Sequence, residues 1–364
     1  MELEGRIRRF QERIKGIYDA ALLTPSTNFF YLSGLAPVAT LERPFILLIP
    51  SEGEPCILAP ALYSLELKDA WIKNVILWKD EEDPFKKLAD MFGQVPRKTG
   101  KILVEDTMPA GFLLSIEKNM EYEFEPLGQV IKEFRIRKSE EELRYLKKAA
   151  EIVDKVFYAL VAEGLEGRTE VEVAKKIGDL IYEYGGGGIS FEPIVASGPN
   201  GANPHYMPGR RVIKRGDVVI LDYGAKYRGY CSDITRTVVI GKATEEIRGV
   251  YEIVKNAQEN AFLKSSNGVK ARDIDMAARD YITSHGYGEY FTHRTGHGLG
   301  LDVHEPPFIT ANNDETIEDG MVFTIEPGIY LPNKFGIRIE DDVAIIDGKG
   351  VRLTTADREL MEVR

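Results

Sequence analysis

Residues 216–241 read GDVVILDYGAKYRGYCSDITRTVVIG, and the rest of the chain is organised around them. Val218 to Tyr223 is apolar and β-branched. Gly224 to Gly229 is turn-like, and Tyr230 to Ile240 is again rich in strand formers, so the stretch is expected as a β-hairpin. Each arm carries one carboxylate, Asp222 and Asp233. With the turn centred on Tyr227 and Arg228, the two face each other across the ladder, Cβ atoms roughly 4.5–5.5 Å apart. Like charges so placed repel, and more so when buried. A divalent cation between them resolves this better than a Lys, because one ion takes oxygens from both.

The composition bounds what such a site could serve. The chain has 364 residues, enough for two domains, and 43% of them are hydrophobic, enough for real cores. A net charge of −11 gives no support to nucleic acid or an anionic membrane as partner. Two cysteines, Cys56 and Cys231, make no disulfide framework or zinc-finger spacing. The charged start has no apolar signal region and no apolar run reaches ~18 residues, so a cytoplasmic protein is expected. The 29% of charged residues, rich in Glu, Lys and Arg, suits a thermophile.

Up to about Phe124, short apolar runs alternate with helical patterns. Strands are expected at Ala20–Leu23, Phe45–Ile49, Ile57–Leu58, Val75–Trp78 and Ile102–Val104. Helices are expected near Leu62–Lys68, Pro84–Phe92 and Pro109–Asn119. This is an α/β domain over residues 1–126, with no G-x-G-x-x-G to suggest a dinucleotide. A linker is expected over 127–138 and a second domain over 139–364. Ser139 with Glu142 makes a capping box opening a long helix that Gly164 stops. A helix near Thr169–Tyr184 ends in Gly185–Gly188, read as a flexible connector. After the hairpin come helices at Glu245–Lys264 and Ala271–His285, then strands at Met321–Glu326 and Phe335–Ile346. The order hints at an internal duplication and an α+β domain, helices on one face of a curved antiparallel sheet.

Two more carboxylates stand in apolar strands. Glu326 closes a run before Pro327-Gly328, and Glu340 shares a face with Arg338 and Asp342 by period-two alternation. Singly, each reads as an exposed strand-end acid; four in Val/Ile-rich strands read differently. His205, His293, His297 and His304 fall outside helix patterning, and each alone reads as an ordinary hydrogen-bonded His. His297 lies in T-G-H-G-L-G, where glycines let the backbone close around a small site, and His304 precedes a Pro306-Pro307 turn. His285 ends a helix, where a cation suits the dipole. Cys231 reads as a small buried residue. Asp222, Asp233, Glu326, Glu340 and one His make a set whose four negative charges two divalent cations would neutralise. Oxygen-rich ligation favours Mn²⁺ or Co²⁺, with Zn²⁺ possible. Two such ions activate water and polarise a carbonyl, so hydrolysis of an amide, ester or phosphate is expected.

The spacing of Asp222, Asp233, His297, Glu326 and Glu340 resembles the five-ligand signature of the pita-bread metallopeptidases, which include methionine aminopeptidases, aminopeptidase P and prolidase. HRTGHGLGLDVHEPP, and IEPGIY followed by GIRIEDD, resemble the prolidase and aminopeptidase P branch, most of all archaeal or bacterial prolidases. Residues 28–34, NFFYLSG, resemble that branch's creatinase-like, ribonuclease H-like N-terminal domain. The resemblance implies that Asp222 chelates one metal, His297 and Glu326 the other, and that Asp233 and Glu340 bridge. It implies Glu326 as proton acceptor for the attacking water and His304 as support for the oxyanion. His205 would touch substrate or leaving group. His293 would contact substrate or stand behind the ligands, and Arg338 would pair with site carboxylates. A homodimer and a substrate of proline-containing dipeptides or short peptides are implied as well.

One position departs from that pattern. Several microbial prolidases carry an Arg four residues after the His that matches His304, and it grips the dipeptide's carboxylate. Here Phe308 stands there. Arg338, Arg210, Arg211 or a neighbouring subunit would have to replace it. Otherwise longer Xaa-Pro peptides are taken, as in aminopeptidase P. A peptide-binding pseudo-peptidase and a metal-free creatinase-like hydrolase are the readings outside metallopeptidases, and the presence of all five ligands speaks against both.

Overall fold

The computed structural model describes residues 2–38, 42–93 and 95–364. The chain divides into two compact units, Met1–Phe134 and Arg135–Arg364.

The first unit opens with α1 (Glu2–Ile14), whose Ile7, Phe10 and Ile14 are buried at helical spacing. There follow β1 (Ala20–Leu23), α2 (Thr27–Ser33), β2 (Ile46–Pro50), β3 (Cys56–Pro60), the short α3 (Ser64–Leu67), β4 (Asn74–Trp78), α4 (Pro84–Phe92), β5 (Lys101–Val104), α5 (Ala110–Asn119), β6 (Glu123–Pro126) and α6 (Gly128–Arg135). The six strands form one mixed sheet in the order β4-β3-β2-β1-β5-β6. Leu22, Ile46, Leu48, Leu58 and Ile102 pack on Leu88, Met91, Phe92 and Ile116 of α4 and α5. Residues 127–138, expected as a linker, contain α6, whose Val130 and Ile131 are buried.

The second unit starts with α7 (Glu140–Glu163), capped reciprocally by Ser139 and Glu142 as expected. Such a cap is worth ~1 kcal/mol. Next are α8 (Glu170–Glu183), β7 (Gly188–Ile189), β8 (Ile194–Ser197), β9 (Val218–Tyr223), β10 (Ala225–Tyr227), β11 (Tyr230–Cys231) and β12 (Ile234–Ile240). Then come α9 (Glu245–Lys264), α10 (Ala271–Ser284), β13 (Gly296–Gly298), β14 (Glu305–Ile309), β15 (Val322–Ile325), β16 (Gly328–Leu331), β17 (Phe335–Arg338), β18 (Asp341–Ile346), β19 (Lys349–Arg352) and β20 (Met361–Val363). A four-stranded sheet β20-β12-β9-β8 and a five-stranded antiparallel sheet β14-β13-β15-β18-β19 carry most of the pairing. α7 and α8 bury Val153, Phe157, Val173 and Ile177 against Val219, Leu221, Tyr223 and Val238. α9 and α10 bury Val250, Val254, Ile274 and Ala278 with Phe323, Ile325, Ile337 and Val343. The order of elements, a helix pair and then strands, recurs twice in this unit.

Four local expectations are corrected. The hairpin register differs: Tyr223 pairs Ile234 and Asp222 pairs Thr235, so Asp233 is not opposite Asp222. The turn sits one residue later, on Arg228 and Gly229, both at positive φ (52° and 88°), as a two-residue hairpin turn requires. Partners move by two positions, and a two-residue displacement keeps the face, so both carboxylates still line one cavity. Second, the glycine run is a connector only in part, residues 185–187 leading from α8 into β7. Gly188–Ile189 forms β7, paired with β10. Third, Phe335–Ile346 is two strands. The chain leaves β17 and enters β18 in another sheet, with Ile339 and Glu340 at the crossing. The Glu340 N–H donates to Thr235 O (3.1 Å), and Arg236 Nη1 donates to Glu340 O (2.5 Å), tying the crossing to β12. The expected turn at Glu305-Pro306-Pro307 is likewise the start of β14.

Candidate metal centre

Asp222 ends β9, and Asp233 precedes β12 on the same hairpin. His297 is central in β13, Glu326 follows β15, and Glu340 lies at the β17–β18 crossing. All five line one cavity of about 670 Å³ together with His205, His293, Arg294, His304 and Arg338. The cavity belongs wholly to the second unit. Gly296 lets β13 lie close enough, since a Cβ there would stand 1.9 Å from Thr324 O.

The donors converge. One ligand atom each from Asp233, His297 and Glu340 lies within 4.8 Å of the other two. His297 Nδ1 hydrogen-bonds Gly298 O (3.1 Å), which assigns the proton to Nδ1 and turns the Nε2 lone pair inward. That Nε2 is 3.3 Å from Glu326 Oε1 and 3.8 Å from Asp233 Oδ2. Burial, the largest cause, holds the His297 imidazole well below its usual value, so it is neutral. An acceptor therefore faces acceptors.

The carboxylates have the same need. Asp222 Oδ1, Asp233 Oδ1 and Glu340 Oε1 are buried without a hydrogen-bond partner, which is rare in folded chains. Two ionised carboxylates 4.8 Å apart repel by roughly 3 kcal/mol at an effective dielectric of 20. Burial first, and then neighbouring negative charge, pushes Asp233 and Glu340 well above the ordinary carboxylate range. Burial pushes Glu326 up to about 7, Arg338 opposing and Asp222 assisting. Hard oxygen donors, an inward lone pair and orphaned oxygens fit divalent cations held by these five side chains.

The surrounding shell fixes the ligands' other atoms. Thr235 Oγ1 donates to Glu340 Oε2 (2.6 Å), and Thr324 Oγ1 donates to Glu326 Oε1 (3.3 Å). Arg338 Nη2 pairs with Asp222 Oδ2, Nε bonds Thr235 Oγ1 (3.1 Å), and Nη1 bonds the Tyr330 hydroxyl (2.8 Å). His293 uses both nitrogens, Nδ1 on Arg294 O (2.7 Å) and Nε2 on the same Tyr330 hydroxyl (2.8 Å). His293 and Arg338, expected as substrate contacts, thus have their polar atoms engaged by protein: Arg338 pairs with a site carboxylate and His293 stands behind the site, the other roles the resemblance implied. Nor does Asp342 line the cavity: its Oδ2 accepts the Asp233 N–H (3.0 Å).

His304 lies beside His297, rings 4.1 Å apart and nearly perpendicular, and is anchored through its neighbour: Glu305 pairs with Arg135 (2.6 Å) and Lys138 (3.0 Å). His205 is exposed on the cavity wall. Cys231 is fully buried, its thiol pushed up to about 11 by burial. His285 caps α10, with Nδ1 on Tyr281 O (2.8 Å). Residue-by-residue reading missed Thr235, Thr324, Tyr330 and Arg294. The two threonines were detectable by the period-two rule, each two residues from a site acid on the same strand face.

Comparison with known proteins agrees with this geometry. Residues 144–347 match the model of metallopeptidase family M24, and residues 6–137 match the creatinase/prolidase N-terminal domain. An Xaa-Pro dipeptidase of Pyrococcus horikoshii is 38% identical over 95% of both chains. The crystal structure of a prolidase from Thermococcus sibiricus superposes with a TM-score of 0.96 at 52% identity, covering 100% of both chains. That of a dipeptidase from Pyrococcus horikoshii OT3 gives 0.94 at 47%, again over 100% of both. With its N-terminal creatinase/prolidase domain and the acids of its second unit gathered around one imidazole, the chain belongs to metallopeptidase family M24.

Proposed function

We propose that this protein is a dinuclear metallopeptidase that hydrolyses Xaa-Pro dipeptides at the imide bond. Asp222, Asp233, His297, Glu326 and Glu340 hold the ions, Mn²⁺ or Co²⁺ by donor hardness, with Zn²⁺ as the alternative. The observation that carries the reading is the set of buried, unpartnered oxygens on Asp222, Asp233 and Glu340, three acids that line one cavity with His297. The Xaa-Pro dipeptidase and prolidase relatives supply the substrate class.

With the ions bound, the chemistry supplied is acidification of water and polarisation of the scissile carbonyl. The chain's own residues do the rest. Glu326 Oε accepts the water proton as the oxygen attacks the carbonyl carbon, and returns it to the proline nitrogen as the C–N bond breaks. His304, whose imidazole burial holds below its usual value, donates a hydrogen bond to the developing oxyanion. His205 contacts the substrate from the wall. Phe191, Ile194, Pro204, Met207 and Val303 offer an apolar surface to a pyrrolidine ring, whose nitrogen has no proton needing an acceptor. Arg338 and His293 act as positioning residues. A homodimer, measurable by light scattering, belongs to the same reading.

Hydrolysis of Ala-Pro and of Ala-Pro-Ala by the metal-loaded protein separates the dipeptidase from an aminopeptidase P-like activity. The reading requires cleavage of Ala-Pro; cleavage of the tripeptide alone would replace it with the second activity.

A further inference from the structure

Among the described residues, one cation lining the cavity forms no ion pair. Among the described residues lining it there are two arginines, Arg294 and Arg338, and no lysine. Arg338 is only 3% exposed, and each of its three guanidinium nitrogens donates to a protein oxygen. Arg294 differs on every count. It is half-buried on the loop before β13, and among the described residues it forms no ion pair and donates no side-chain hydrogen bond. Glu326 is near enough to be felt electrostatically but makes no ion pair with it. Its guanidinium rests on the ring of Phe308, Cζ 4.7 Å from the centroid. Phe308 stands across from His297 in the β13–β14 ladder. The stack holds the planar group in place without consuming its N–H donors. A half-buried guanidinium, pre-positioned and unpaired inside a substrate cavity, is a receptor for a planar anion.

A dipeptide brings one such anion, its terminal carboxylate. We propose that Arg294, held by Phe308, is the residue that binds the terminal carboxylate of the substrate and thereby selects dipeptides. The proposal rests on the dipeptidase reading for its substrate. It assigns the anion grip to a loop residue on β13's approach, while the position in β14 supplies an aromatic platform instead of a charge. Arg210 is exposed and does not line the cavity, and Arg211 is already paired with Asp217 (2.6 Å).

The test compares wild type with Arg294→Met, which keeps the aliphatic packing, and with Arg294→Lys, which keeps the charge and loses the fork. Metal content and thermal midpoint establish that each variant is folded and loaded. Kinetics are measured on Ala-Pro and on Ala-Pro amide, with Asp-Pro as a third substrate. On Ala-Pro, Arg294→Met is expected to lose about 30-fold or more in kcat/KM, mainly through KM, with Lys intermediate. On the amide, wild type and variant should match. Equal behaviour of wild type and variant on Ala-Pro overturns the proposal, as does an equal loss on the amide. A loss confined to Asp-Pro also overturns it, since Arg294 would then read the side chain before proline. Inhibition by proline against prolinamide is read on whichever substrate is cleaved. Wild type should prefer proline and Arg294→Met should not; absence of that difference overturns the proposal even where dipeptide cleavage itself fails.

Discussion

Arg338 pairs through Nη2 with Oδ2 of Asp222 and leaves Oδ1 of that carboxylate with no protein partner. The pair orients one oxygen and presents the other. Replacing Arg338 by Met should leave Asp222 free to rotate and weaken divalent-ion affinity by about 10- to 100-fold, the usual scale for residues behind a metal ligand. Tyr330→Phe removes the hydroxyl that Arg338 and His293 share, and should give a smaller loss. Calorimetric titration with Mn²⁺ measures both. Unchanged affinity in Arg338→Met would remove Arg338 from the positioning role.

Repulsion among the acids makes a prediction of opposite sign for stability and function. Asp233→Asn takes one negative charge out of the cluster and should abolish tight metal binding. In chelator it should raise the stability of the chain by roughly 1–3 kcal/mol, because Asn removes the cost of burying an acid that must either keep its charge beside Glu340 and Asp222 or take up a proton. Urea unfolding in EDTA reads this directly. A destabilised metal-free variant would mean that Asp233 is satisfied by the protein alone.

The pH dependence follows from the same groups. Glu326 titrates at about 7 in the folded chain against an ordinary 4.5, and Asp233 and Glu340 are raised as well. A carboxyl with a raised folded value favours folding below its unfolded value and loses that contribution as pH rises through the folded one. For Glu326 alone the loss totals on the order of 3 kcal/mol and accumulates from about pH 4.5 to about 7, with Asp233 and Glu340 extending it upward. His293 is lowered to about 3 by burial and His297 is also lowered, so they act with the opposite sign, but only below about pH 6.5. Between pH 6.5 and 8.5 the metal-free protein should therefore lose stability, whereas metal-loaded protein should hold or gain, since ions compete with protons for the site. A flat profile in EDTA would contradict the clustering of ionisable acids.

Arg236 is the structural counterpart of Arg338. It is 1% exposed, pairs with Asp341 (2.7 Å) and donates to the carbonyls of Thr235, Glu340, Ala356 and Asp357. It thus fastens the crossing that carries Glu340. Arg236→Met should cost about 3–5 kcal/mol, because Asp341 is left buried with fewer partners. Urea denaturation measures it, and a loss under 1 kcal/mol would show that Arg352 and Arg358, also near Asp341, suffice.

Much of the site was legible because strand faces depend on parity. The hairpin register was misjudged by a displacement of two, yet Asp222 and Asp233 still share a cavity, since only an odd displacement would part them. The helices announced themselves by caps: Ser139 with Glu142, and Thr169 with Glu172, open α7 and α8. Contacts between distant segments were less legible. The alternation of residues 335–346 runs unbroken through Glu340, and nothing in it shows that Thr235 and Arg236 bind the backbone there and divide it between sheets. Arg338 reads as an available cation until its three partners are seen. Arg294 carries no signal in the sequence, because the ring it rests on, Phe308, comes from another strand.

The central claim is that these acids share a cavity because cations separate them. Its most direct test is metal content by elemental analysis of the purified protein, paired with Ala-Pro hydrolysis before and after exhaustive chelation. The account predicts two divalent ions per chain at full loading, loss of hydrolysis on their removal and recovery with Mn²⁺ or Co²⁺. Full hydrolysis by protein stripped of metal would contradict it.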